Sequence, residues 1–203
     1  MTTRSRLTPA ARRHQLLTVA AELFAARPYD DVLMEDVAKQ AAVSRALLYR
    51  HFPSKRDLFA AVYRQAADRL LDATPIDRSL PLIPQVRAGL DRHIDYFAEN
   101  RHTVLAANRT LAGDPVIQAV VLGEMTVLRE RLAGAAAFDA VPPELMSAVL
   151  MSWLAFVRAL CVEWLTRRMC SRDALRETCL GALTGALGPL VGPGPLTADG
   201  ACP

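Results

Sequence analysis

The sequence predicts an all-α protein of about nine helices, a short N-terminal helical domain joined to a larger helical body. Hydrophobic residues make up 52% of the 203 residues and aromatics only 6%, with Ala and Leu leading, a composition of helix formers. Runs that alternate apolar and polar residues, the mark of a half-buried strand, are almost absent. Helix-start signals recur at helical intervals instead, at Thr8-Pro9, Ser44, Ser54, Asp114-Pro115, Pro142-Pro143 and Ser171. The length is ample for a core.

Thr8 caps and Pro9 opens a first helix over about 9–26, with Leu16, Ala20, Leu23 and Phe24 on one apolar stripe. Arg27-Pro28 ends it. Met34, Val37, Ala38 and Ala41 mark a short second helix, for which Asp31 is the expected cap. Ser44 caps a third helix that stops near His51, because Pro53 forces Phe52 toward an extended backbone. Leu48 and Phe52 then face inward with Val43, while Arg45, Ala46, Tyr49 and Arg50 face outward. Ser54 and Asp57 form a capping pair for a fourth helix. Its first turn carries Lys55 and Arg56, which the helix dipole disfavours unless an anion sits there, and with the unpaired backbone N–H groups they read as a phosphate site.

Two short helices joined at Ala41-Ala42-Val43, the second cationic outside and apolar inside, match a helix-turn-helix. Charge is split the same way: residues 1–65 hold 11 Lys or Arg against 6 Asp or Glu, and the remainder holds 13 against 15. A basic N-terminal block points to a polyanionic partner, with a merely solvated face as the alternative.

The segment "LLTVAAELFAARPYDDVLMEDVAKQAAVSRALLYRHFPSKRDLFAAV", residues 16–62, resembles the DNA-binding domain of tetracycline-repressor-like (TetR) transcriptional regulators, most specifically in "VSRALLYRHFPSK". The resemblance implies an N-terminal three-helix DNA-binding domain over 1–62 and a helical effector-binding and dimerisation domain over 63–190, with 191–203 a disordered tail. It implies double-stranded DNA as partner, with Ser44 opening the recognition helix, Arg45, Ala46, Leu47, Tyr49 and Arg50 in the major groove, and Tyr49, His51 and Lys55 at phosphates. The residue types agree, since Arg45 and Arg50 can read guanine edges and Leu47 can touch a thymine methyl. His51 could instead be a buried hydrogen-bonding residue. Three positions depart from the family pattern. Arg27-Pro28 replaces the usual glycine after the first helix, Ala42 stands at the usual turn glycine, and Leu33-Met34 replace the hydroxyl residues that commonly start the second helix.

Beyond the linker at 73–84, helices are expected near 84–99, 101–111, 115–137, 143–169 and 172–187, with Gly188-Pro189 as the stop. The fourth of these has a bulky stripe at Leu150, Trp153, Leu154, Val157, Leu160 and Trp164 beside a small-residue stripe at Ala148, Ser152, Ala155, Ala159 and Val162. Thr178, Gly181, Ala182 and Gly185 make a second small stripe. Paired stripes of this kind predict a four-helix homodimer interface, or else close packing within one subunit. The family resemblance also implies a pocket for a small apolar effector, for which His93, Tyr96, Phe97, His102, Asn108, Met125 and Trp153 are the candidate lining. Arg158, within an apolar helix, could pair with an acidic ligand, pair with a partner-subunit carboxylate, or reach solvent.

Other classes are disfavoured. Asp91, His93 and Asp95 alternate along one helix and diverge rather than converge, and no phosphate-cradling loop or nucleophile motif is present, so no enzyme is expected. Cys161, Cys170, Cys179 and Cys202 lack metal-site spacing, so no metal or cofactor is expected. The N-terminus lacks the apolar core of a signal peptide and the uncharged run 145–157 is too short to span a bilayer, which points to a cytoplasmic protein away from membranes. The competing reading is a DNA-binding dimer whose body is filled and purely structural, controlled by a protein partner or not at all.

Overall fold

The computed structural model describes residues 7–77, 79–134 and 141–191. The elements are α1 (Pro9–Ala26), a 3-10 turn (Tyr29–Asp31), α2 (Met34–Gln40), α3 (Arg45–His51), α4 (Lys55–Ala73), α5 (Leu82–Glu99), α6 (Arg101–Leu105) running into a π-helical turn (Ala106–Thr110), α7 (Pro115–Ala133), α8 (Pro143–Arg167) and α9 (Arg172–Val191). No strand occurs among the described residues. They fall into two compact units, one of residues up to Ala66 together with Asn100–Val120, the other of Ala67–Glu99 together with residues from Val121 onward. The division falls inside α4 and inside α7.

In the N-terminal unit, Leu16, Ala20 and Phe24 of α1 are buried with Val37 of α2, Leu48 of α3 and Leu58 and Phe59 of α4. The aromatic members lock together. The Phe59 ring meets Phe24 edge-on at 5.1 Å and Tyr29 edge-on at 5.2 Å, fixing the start of α4 against the exit of α1. That exit uses extended backbone at Arg27 (φ −136°), whose N–H still caps α1 by donating to the Leu23 carbonyl. Asp31 does not cap α2: it lies in the 3-10 turn, and α2 begins after Leu33 with no side-chain cap.

The α2–α3 turn is a Schellman motif. Val43 N–H donates to the Ala38 carbonyl (2.9 Å) and Ala42 N–H to the Lys39 carbonyl (3.1 Å), which requires the residue between α2 and Val43 to be left-handed. Ala42 has φ +53°. Its methyl group costs about 1–2 kcal/mol there. A glycine would lose about 0.5–1 kcal/mol of that gain to its larger unfolded-state entropy. Ala42→Gly is therefore expected to raise stability by about 0.5–1 kcal/mol, seen as a higher melting temperature. A lower melting temperature would mean that the strain is relieved elsewhere in the turn.

In the C-terminal unit, α5, α8 and α9 pack on one another through Leu90, Ile94 and Phe97, Leu150, Val157 and Leu165, and Leu175, Leu183 and Leu187. Outside that core, Arg172 grips Asp95 (2.6 Å) and Asp91 (2.7 Å), and Arg176 shares Asp91 (3.0 Å), so these aspartates clamp α5 to α9. α8 is long and apolar enough by length and composition to cross a membrane. Its bulky stripe is used in this core, and it carries a buried ion pair through Arg158.

Several boundaries differ from the sequence expectations. α9 does not stop at Gly188-Pro189 but runs to Val191 with Pro189 inside it. A proline in the last turn removes one hydrogen bond and crowds one carbonyl of the preceding turn, a cost confined to the end of the helix. α8 ends at Arg167, where Arg168 turns left-handed (φ 47°) and lays its guanidinium 4.1 Å over the Trp164 ring. The helix expected near 101–111 is interrupted because its second half winds as a π turn. Residues 135–137 and 192–203, including Cys202 and the expected tail, lie outside the described residues.

Candidate nucleic-acid interface and effector cavity

α3 presents the face that its sequence pattern dictates. Ser44 Oγ accepts from Leu47 N–H (3.2 Å), capping the helix. Leu48 (0% exposed) and Phe52 (2%) anchor it, leaving Ser44, Arg45, Ala46, Tyr49 and Arg50 exposed and Leu47 and His51 half-buried. Arg45 is ion-paired with Glu35 of α2, at the surface, where such a pair adds little stability. Arg13 of α1 holds its guanidinium 5.0 Å over the Phe52 ring, adding a cation beside the end of α3 that the motif reading did not single out.

The first turn of α4 finds partners within the chain. Lys55 Nζ donates to the carbonyls of Tyr29 (2.9 Å) and Asp30 (3.4 Å) and lies 4.3 Å above the Tyr29 ring. Arg56 sits 3.6 Å from Asp114, the residue whose carboxylate also caps α7 through the Val116 and Ile117 N–H groups. The conflict between these cations and the helix dipole is thus met by protein oxygens as well as by any anion. The ammonium keeps a third N–H beyond the two used on the carbonyls. Asp57 N–H donates to Ser54 Oγ (3.1 Å), and the Ser54 hydroxyl in turn donates to the Asp57 carboxylate (2.7 Å).

The C-terminal unit contains a cavity of about 80 Å³ among α4, α5, α7 and α8. Leu70 and Leu71 close it from the end of α4, Val86 and Leu90 from α5, Met125 and Leu128 from α7, and Leu154 and Val157 from α8. Of the seven residues expected to line it, His93, Met125 and Trp153 do. Tyr96 and Phe97 lie one turn beyond, since α5 meets the cavity at 85–86, 89–90 and 92–93 and then runs past it. His102 and Asn108 belong to the N-terminal unit, where Asn108 Nδ2 donates to the Val104 carbonyl (2.8 Å).

Two polar features stand in this apolar wall. Arg158 is ion-paired with Glu124 of α7, with side chains 9% and 4% exposed, and stacks 5.6 Å over the Phe97 ring. The arginine is therefore matched within its own chain. Glu124 is a residue the sequence reading missed, although it is the one charge in the stretch 115–128 of α7, as Arg158 is in the stretch 145–162 of α8, and that pairing of isolated charges was a visible signal. His93 packs at a tilt against Phe97 (ring centroids 4.0 Å apart), and its Nε2 is buried with no hydrogen-bond partner. Burial, reinforced by the Arg158 charge, pushes its pKa down to about 3, so the ring is neutral at physiological pH.

Residues 16–62, which hold this helix-turn-helix and the start of α4, match the family model for bacterial regulatory proteins of the tetR family. A TetR-family transcriptional regulator from Streptomyces coelicolor superposes with a TM-score of 0.79 at 25% identity, over 90% of this chain and 83% of that one. Residues 16–62 belong to the TetR family. The transcriptional activator FasR of Mycolicibacterium smegmatis is 42% identical over 67 residues, covering 33% of this chain and 31% of that protein. The transcriptional repressor KstR of Rhodococcus jostii is 25% identical over 173 residues, 80% of this chain and 76% of that one. Across the first curated relatives, the matched part spans between 30% and 58% of their lengths.

One further surface of this chain stands out. Ala148, Ser152, Ala155 and Ala159 of α8 are exposed, as are Thr178, Gly181 and Gly185 of α9, with Ala182 half-buried. Val162 departs from the expected stripe and is buried within the chain, because it turns toward the α8 core. Phe156 (40% exposed) and Leu145 (43%) flank the small residues, and a shallow groove runs between Val149, Ser152 and Phe156 on one side and Ala182 and Ala186 on the other. No group of three or more His, Cys, Asp or Glu able to hold a metal occurs among the described residues.

Proposed function

We propose that the chain is a cytoplasmic transcriptional repressor rather than an enzyme. In this reading it binds a palindromic operator as a homodimer through α8 and α9 and is released by a small apolar effector. The observation that carries DNA binding is α3: a capped two-turn helix, locked by Leu48 and Phe52, that turns Arg45, Tyr49 and Arg50 outward from a basic unit. Cationic and aromatic side chains on such a helix suit base edges and phosphates together. The homodimer reading rests on the exposed small-residue face with its apolar flanks, which a second copy would bury. FasR is named an activator and KstR a repressor, and the sign of regulation follows from where the operator lies.

The effector reading rests on the cavity and on the helices that bound it. α4 walls the cavity with Leu70 and Leu71 and begins at Lys55 and Arg56. α7 walls it with Met125 and begins beyond Asp114, the partner of Arg56. A ligand that displaces either helix has a covalent lever on the DNA-binding unit. A hundredfold release needs about 2.7 kcal/mol of difference between the two states. At about 80 Å³ the cavity is well below the roughly 300–1,000 Å³ of a typical ligand site, so binding must widen it. That small size is also the observation favouring the second reading, a structural body controlled by a protein partner or not at all.

Substitutions on α3 and α4 separate the two kinds of DNA contact. Arg50→Ala is expected to cost about 1–3 kcal/mol at the preferred site and to relax base preference at one position per half-site. Lys55→Ala is expected to weaken all sequences alike and to reduce the salt slope by about one phosphate. Binding titrations across salt concentrations and site variants read both. An unchanged preferred sequence in Arg50→Ala would remove that residue from the reading face.

A further inference from the structure

We infer that the cavity selects an electrically neutral effector: a hydrocarbon body carrying one uncharged hydrogen-bonding group, hydroxyl or carbonyl, that docks on His93. The inference rests on the cavity being the effector site. Most polar side chains at the wall are already committed. Gln85 Nε2 donates to the Asp77 carbonyl (2.9 Å) while its Oε1 accepts from Asp77 N–H (2.7 Å), and Thr74 Oγ1 donates to the Leu70 carbonyl (2.9 Å). Glu124 and Arg158 cancel each other's charge. An incoming carboxylate would have to share Arg158 with Glu124 or displace it, and an incoming ammonium would have to share Glu124 with Arg158 or displace it. Either leaves a buried charge unmatched, which is strongly unfavourable. Arg92, also at the wall, is exposed, so its pull on an anion is weakened by water.

Among the uncharged wall groups, His93 Nε2 is buried and without a hydrogen-bond partner. A ligand group that supplies that bond gains more than the same group gains in water, where it is already solvated. A neutral imidazole nitrogen donates or accepts according to its tautomer, so a hydroxyl suits both tautomers and a carbonyl only the one with hydrogen on Nε2. The unbound protein has its neutral ring held by burial, and this removes the charge attraction that would otherwise recruit anions.

The experiment is calorimetric and thermal-shift titration of the full chain with 1-hexanol, 2-hexanone, hexanoate, hexylamine and hexane, repeated with the decyl series. The same titrations are run on His93→Phe, which keeps ring bulk against Phe97, and on Arg92→Ala. The alcohol or ketone is expected to bind at least about tenfold tighter than the carboxylate and the amine. His93→Phe is expected to lose about tenfold toward the neutral-headed compounds while binding the alkane as wild type does, and Arg92→Ala is expected to change neither. A carboxylate or amine that binds as tightly as the alcohol, or a His93→Phe protein that binds the alcohol unchanged, overturns the inference and leaves the effector site standing. Absence of binding by every compound, together with unchanged operator affinity in a cavity-filling Leu154→Trp protein, overturns both.

Discussion

Glu124→Leu is expected to destabilise the chain by about 3–5 kcal/mol, the usual cost of removing one member of a buried pair. The Arg158 guanidinium would keep its charge, with its carboxylate gone and its side chain only 9% exposed. The measurement is the urea midpoint at constant slope, so that a change in stability is not confused with a change in compactness. The double variant Glu124→Leu/Arg158→Leu is expected to recover most of the loss, because two apolar side chains of suitable volume replace the pair without leaving a charge behind. A loss below about 1 kcal/mol in the single variant would show that water reaches Arg158, and the discrimination against charged effectors would lose its basis.

The second large effect concerns association. A Cβ placed at Gly181 meets no heavy atom within 4 Å, and Ala155 is exposed, so an arginine at either position is accommodated by an isolated chain. In a four-helix interface the same arginine would meet the partner's small-residue face and be buried without a counter-charge. Gly181→Arg and Ala155→Arg are therefore expected to keep their helicity by circular dichroism but to sediment as monomers. Operator affinity is expected to drop about 10²–10⁴-fold, because the second half-site is no longer tethered to the first. Wild-type-like dimers in both variants would place the interface elsewhere.

The helical architecture was legible because start signals are local chemistry. Thr8, Ser44, Ser54, Asp114 and Ser171 each accept hydrogen bonds from N–H groups at the start of their helices, as hydroxyl and carboxylate caps do. Stop signals were less reliable: Pro189 is tolerated near the end of α9, and α6 changes winding without any residue that announces it. The outward face of α3 was legible from Pro53 and the Leu48–Phe52 spacing. The partners of Lys55 were not, because the carbonyls of Tyr29 and Asp30 are brought there by an aromatic cluster spanning α1, the 3-10 turn and α4. The cavity was half-legible. Its walls are set by where four helices pass one another, which a single helix's periodicity cannot encode, and so Tyr96, Phe97, His102 and Asn108 were placed in it and Glu124 was not.

The most direct measurement is selection of duplexes from a random library by the purified full chain at near-physiological salt. Competition titrations against unrelated DNA then follow. A chain whose α3 reads base edges as a symmetric dimer is expected to enrich an inverted repeat, with half-sites centred about one helical turn or a multiple of it apart (roughly 34–36 Å per turn). That site should bind at least about 10³-fold more tightly than unrelated duplex. Binding that weakens with salt yet enriches no sequence would contradict base reading by Arg45 and Arg50 and reduce α3 to a phosphate contact.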